Sequence, residues 1–156
     1  MGCYMNSSIL SGSCPSTNNN ITTFPILDQF SLNVQVTHNP LQLPLESLFS
    51  MAARINKKRS FLFVSKLLGK HIPVNPYTSL LSGAALAVLL YEHLTEKTEE
   101  TKVQITEWKR EMVEGLIDPK QARQVYNMLL QESLGLPETI RFVGFAETAT
   151  ALGHSM

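Results

Sequence analysis

An α/β domain is predicted for residues 29–156, and three patterns in the sequence point to it. Phe30, Leu32, Val34 and Val36 alternate with Ser31, Asn33, Gln35 and Thr37, the period of two expected of a half-buried strand. Apolar residues then recur at three- and four-residue steps in several later segments, as amphipathic helices require. Finally Ile140–Phe145 reads as a buried strand that runs into small residues and a helix start, Ala146–Gly153. Strands interleaved with helices are the order an α/β fold needs.

Composition sets the limits of this reading. A chain of 156 residues with 44% apolar content can build one ordinary core. Residues 1–28 are expected to be a disordered leader, because Ser, Asn, Thr and Gly dominate up to about Thr23 and cannot bury enough surface to offset their ordering entropy. Lys and Arg total 13, as do Asp and Glu, so the chain as a whole gives no electrostatic case for a nucleic acid or a membrane, and any basic site must be local. Cys3 and Cys14 lack the spacing of a metal or disulfide framework. The apolar run Leu80–Tyr91 is interrupted by Ser82 and Gly83 and falls short of a bilayer span. No signal peptide is apparent, and a cytoplasmic location is expected.

The remaining elements follow in order. His38-Asn39-Pro40 closes the first strand, and Leu45, Leu48, Phe49, Ala52 and Ile55 predict a helix over 45–55. Phe61–Val64 is a short buried strand, and Gly69 and Pro73 break the chain after it. Asn75 as N-cap with Pro76 at the first helical position opens a helix reaching about Leu94. Glu96–Lys102 reads as a linker or solvated helix end, and Val103–Ile117 as a helix that buries Ile105, Trp108, Met112 and Leu116. In the next helix Asp118 caps, Pro119 starts, Ala122, Val125, Leu129 and Leu130 form the buried face, and Gly135 terminates.

Two segments could carry chemistry. A strand followed by a tight small-residue turn and a helix N-terminus aims backbone N–H groups at one spot, an arrangement suited to phosphate. In Ala146, Glu147, Thr148, Ala149, Thr150 and Gly153 the two threonines could add donors, while Glu147 requires a metal or cation between itself and a phosphate. The spacing is neither a P-loop nor GxGxxG. The second segment holds Arg54, Lys57, Lys58, Arg59, Lys66, Lys70 and His71, cations that could meet a polyphosphate or simply form a solvated rim. No aromatic residues interleave them for base stacking, which disfavours nucleic acid. No nucleophile elbow or shared histidine spacing is present.

Ala53–Val74, Ser79–Ala87 and Val143–His154 together resemble the orotate phosphoribosyltransferase-like proteins encoded beside tellurite-resistance and stress-response genes in bacteria. The resemblance implies a type I phosphoribosyltransferase fold, a Rossmann-like parallel sheet with a small hood. It also implies binding of phosphoribosyl pyrophosphate with Mg2+ and transfer of ribosyl phosphate to a nitrogen nucleophile. By position, Ala146–Gly153 would be the loop that contacts pyrophosphate. The family's two adjacent acids at a strand end, followed by a Thr/Gly turn, have no counterpart here, since Glu99-Glu100-Thr101 follows a polar run. The expectation is therefore an inactive N-terminal fragment of a longer enzyme, associating through an open sheet edge into homo-oligomers. The alternative is a non-enzymatic module that binds RNA or an acidic partner through the basic cluster 54–71.

Overall fold

The structure is a computed structural model that describes residues 3–5, 21–27, 30–56, 58 and 60–132. The chain divides into two compact units, Met1–Gln42 with Ser50–Val64, and Leu43–Phe49 with Ser65–Met156.

The strand unit is built on an antiparallel sheet in the order β1-β3-β2, with β1 at Cys3–Met5, β2 at Ile21–Leu27 and β3 at Phe30–Val36. The central strand behaves as its alternation predicts: Leu32 and Val34 are buried, and Ser31, Asn33 and Gln35 are exposed. Phe24 stands opposite Leu32, and Thr23 donates its hydroxyl to the Asn33 side chain across the pair at 2.8 Å. Pro25 is tolerated because β2 is an edge strand, and the register slips between Pro25 and Leu27 where proline cannot donate. Both β1 and β2 fall inside the leader expected to be disordered. Averaged composition hid Ile21, Phe24 and Ile26, and pairing with β3 supplies backbone partners that no local propensity reveals.

The helix predicted over 45–55 is reduced to one turn, α1 at Leu45–Leu48, after which the chain extends as β4, Phe49–Ala53. Pro44 makes no side-chain cap, and so short a helix cannot sustain itself. Extension lets β4 pair with the apolar run of β5, Phe61–Ser65, in a two-stranded sheet. Arg54 N–H donates to Ser60 O at 2.9 Å and Lys66 N–H to Leu48 O at 3.0 Å, so partner numbers run in opposite senses and the hairpin is antiparallel. Phe61 lies 6.3 Å from Phe30 and 6.1 Å from Phe63 between ring centroids, an aromatic group within the strand unit.

Among the described residues the other unit holds α1 and three longer helices: α2 at Pro76–Leu94, α3 at Glu99–Ile117 and α4 at Ala122–Leu129. Each packs on the other two. Asn75 caps α2 as predicted, its Oδ1 accepting from Tyr77 N–H at 3.0 Å, while its Nδ2 donates to Pro119 O at 2.8 Å and so ties the α3–α4 turn to the start of α2. Thr98 caps α3, accepting from Thr101 N–H at 3.2 Å, which draws the charged run 99–102 into the helix. The predicted stripe Ile105, Trp108, Met112 and Leu116 is buried. Gly115 permits the close approach of the helices, because a Cβ there would stand 2.7 Å from Leu81 Cδ2 and 3.2 Å from Val125 Cγ2.

Helix α4 starts later than predicted. Asp118 is the C-cap of α3, and its Oδ1 accepts from Lys120 N–H at 3.0 Å, a turn that consumes the intended cap. That bond holds the Asp118 carboxyl below its ordinary pKa. Ala122 and Val125 are buried as expected, but Leu130 is 59% exposed. Gly135 lies outside the described residues, as does Ile140–Phe145. Both sheets among the described residues are antiparallel, whereas the resemblance implies a parallel one.

Candidate functional site

The basic cluster 54–71 is shared between the two units. Arg54 and Lys58 belong to the strand unit, whereas Lys66, Lys70 and His71 belong to the helical unit; Lys57 and Arg59 lie outside the described residues. At the hairpin end the backbone is ordered by three bonds. Besides Arg54 N–H to Ser60 O, Asn56 N–H donates to Arg54 O at 3.1 Å, and Lys58 N–H donates to Asn56 Oδ1 at 2.8 Å. Arg54, Ile55, Asn56 and Lys58 are all exposed there.

In the helical unit Lys66 is engaged: its Nζ donates to Glu46 O at 2.6 Å, clamping the single turn of α1 to the end of β5. Lys70 and His71 are exposed beside Gly69, whose φ of 64° turns the chain toward α2. Leu67 O accepts from Ser79 Oγ, fixing this connection to the first turns of α2. The start of α2 has its donors occupied. Tyr77 N–H goes to Asn75 Oδ1, and the N–H groups of Thr78 and Ser79 go to Asn75 O at 2.9 and 3.4 Å. It offers no vacant backbone donors to an anion.

Glu99-Glu100-Thr101 is placed in the first turn of α3. Glu99 is 88% exposed and pairs with Lys102 at 2.6 Å, and the Thr101 hydroxyl meets that of Thr98 at 2.9 Å. These acids complement a helix N-terminus and do not sit at a strand end, where a ribose would be gripped. The most buried ionic group lies elsewhere: Glu92 of α2 pairs with Lys109 of α3 and, at 3.5 Å, with Lys97. The Lys109 hydrogen bond holds the Glu92 carboxyl below its ordinary pKa against the opposing effect of desolvation. Among the described residues no three His, Cys, Asp or Glu side chains come together to hold a metal ion, and no helix is long and apolar enough to cross a membrane.

A depression unanticipated from the sequence opens beside the end of β3, lined by Val36, Thr37, His38, Asn39 and Gln42, with a volume of about 480 Å³. The sequence marks this stretch only as a strand terminator. Gln42, one of its lining residues, stands at φ 52°, a left-handed conformation that nothing in a glutamine announces.

A family model described as phosphoribosyl transferase matches residues 48–156, from the last residue of α1 through the hairpin and the helices to Met156. The chain belongs to the phosphoribosyl transferase family. Comparison with curated proteins and with solved structures returns no match. In this family member the match begins after β1, β2 and β3, so the three-stranded sheet lies outside the matched segment, while the hairpin and all three long helices lie inside it. The match also takes in Ala146, Glu147, Thr148, Ala149, Thr150 and Gly153, which lie outside the described residues.

Proposed function

We propose that this chain binds a phosphoribosyl pyrophosphate-like ligand through Ala146–Gly153, with Thr148, Thr150 and backbone N–H groups contacting the pyrophosphate. The observation that carries the reading is the phosphoribosyl transferase match over residues 48–156, which includes the segment whose sequence predicts a strand, a tight turn and a helix start. The loop chemistry supports it independently, since small residues leave N–H groups accessible at a helix start. Of the basic cluster in the helical unit, Lys70 and His71 are exposed, and Lys66 donates to the Glu46 carbonyl. The closer likeness to orotate phosphoribosyltransferase-like proteins of tellurite-resistance loci rests on 53–74, 79–87 and 143–154.

The family chemistry is transfer of ribosyl phosphate to a nitrogen nucleophile, and its rate depends on holding ribose and both phosphate ends together. Residues 1–156 contain an acid pair before threonine only at Glu99-Glu100, where helix capping uses it. We therefore assign this polypeptide ligand binding without turnover. The described residues offer no donor set for Mg2+, so no step is assigned to one; the ion would accompany the ligand's own phosphates.

Calorimetry of residues 1–156 with phosphoribosyl pyrophosphate, with and without magnesium, tests the binding. Saturable binding that is lost in Thr148→Trp is expected, and unchanged affinity in that variant removes the loop from the site. Base-dependent release of pyrophosphate by the same polypeptide would show that the acid pair is dispensable.

A further inference from the structure

Ile55 is 108% exposed, and it stands at the end of a hairpin where three hydrogen bonds described above hold Arg54, Asn56, Lys58 and Ser60. A single exposed isoleucine needs no explanation by itself. Its setting does. Arg54 and Lys58 flank it, both exposed and neither in an ion pair among the described residues, and the sequence adds Lys57 and Arg59. The chain is neutral overall, yet no Asp or Glu occurs between Glu46 and Glu92, while that interval holds Arg54, Lys57, Lys58, Arg59, Lys66 and Lys70. Neutrality arises from acids placed elsewhere, chiefly on α3 and its flanks.

We propose that this hairpin tip docks on the surface of an anionic phospholipid bilayer, Ile55 entering the headgroup region while Arg54 and Lys58 meet lipid phosphates. Cations near such a surface are each attracted by its negative potential, and an apolar residue between them gains by leaving water. A nucleic acid would satisfy the charge but leave Ile55 without a purpose, and residues 54–60 contain no aromatic ring on which a base could stack. A membrane uses both features. The docking is peripheral, consistent with the absence of a spanning helix among the described residues, and it stands apart from any phosphoribosyl chemistry.

Co-sedimentation of the full chain with phosphatidylglycerol–phosphatidylcholine vesicles, against phosphatidylcholine alone, tests it. Binding to the anionic vesicles only is expected, falling with added salt. Ile55→Ser should weaken it by about tenfold, the effect of keeping one large aliphatic side chain in water, and Ile55→Leu should restore it. Arg54→Gln with Lys58→Gln should cost about fivefold per cation. Thermal melting should not change in any of these variants, since none of the replaced side chains is buried. Failure to bind anionic vesicles, equal binding by Ile55→Ser, or tighter binding to a single-stranded RNA than to vesicles would each overturn the proposal.

Discussion

In the helical unit Leu81 and Met112 are 0% exposed and Ile105 is 1% exposed, and three helices bury their faces against one another. In the strand unit, among the described residues, the buried apolar side chains are Leu32, Val34 and Val64, and most positions of β4 and β5 stay half-exposed. The two units thus do different work. Close packing gives the helices a single arrangement, whereas the hairpin invests its residues in an ordered, cationic end. Stability is expected to reside in the helices, and the membrane contact proposed above in the hairpin.

The largest test of that contrast is a cavity. Met112→Ala removes a fully buried side chain at the centre of α3 and should cost about 2–5 kcal/mol in chemical denaturation. Val34→Ala, in the centre of β3, removes fewer atoms from a thinner core and should cost less, about 1–2 kcal/mol. An equal or larger loss for Val34→Ala would break the comparison. Next in size is overpacking. Gly115→Ala places a methyl 2.7 Å from Leu81 Cδ2 and 3.2 Å from Val125 Cγ2, so buried side chains must shift to admit it, and about 1–3 kcal/mol should be lost. The same change in a Leu81→Ala background should cost less, because the clashing atom is gone, and additive effects of the two changes would show that the contact is not what constrains Gly115.

The contrast also explains which elements were legible. Helices α2 and α3 were readable because their signals are local: Asn75-Pro76 at one start and the three- and four-residue steps from Ile105 to Leu116. Central strand β3 was readable from its alternation. Strands β1, β2 and β4 were not: β1 pairs with Val34–Val36 far along the chain, β2 lies in a stretch whose averaged composition is polar, and the apolar spacing of 45–55 fits a helix as well as it fits β4 paired with β5. The site was legible as residue types only. That Lys66 would be spent on the Glu46 carbonyl, and that Glu99 and Glu100 would open a helix, are matters of pairing that spacing does not encode.

A smaller expected effect concerns Asn75, which joins the start of α2 to the α3–α4 turn. Asn75→Ala should cost about 1 kcal/mol for the cap, with a further contribution from the bond to Pro119 O. Asn75→Asp keeps an acceptor for Tyr77 N–H but loses the Nδ2 donor, so its loss in denaturation should fall between wild type and alanine. If aspartate and alanine prove equally destabilising, the turn contact and not the cap is what matters.

The smallest effect separates the two units by acid. Glu92, half-buried between Lys109 and Lys97, has its folded pKa depressed, so the unfolded chain binds the proton more tightly than the folded one. Its contribution is fully present above the ordinary glutamate value of about 4.3 and is lost as the pH falls through the folded value. Partial exposure and salt screening limit it to about 1 kcal/mol or less. Among the described residues of the strand unit there is no Asp or Glu to make a comparable contribution. On lowering the pH below about 4.3, amide hydrogen exchange should therefore accelerate in α2 and α3 before it does in β3. Glu92→Gln should remove this difference by lowering helical protection at neutral pH and flattening its dependence on acid. Earlier loss of protection in β3, or an acid response unaltered by Glu92→Gln, would place the sensitivity outside the Glu92–Lys109 pair.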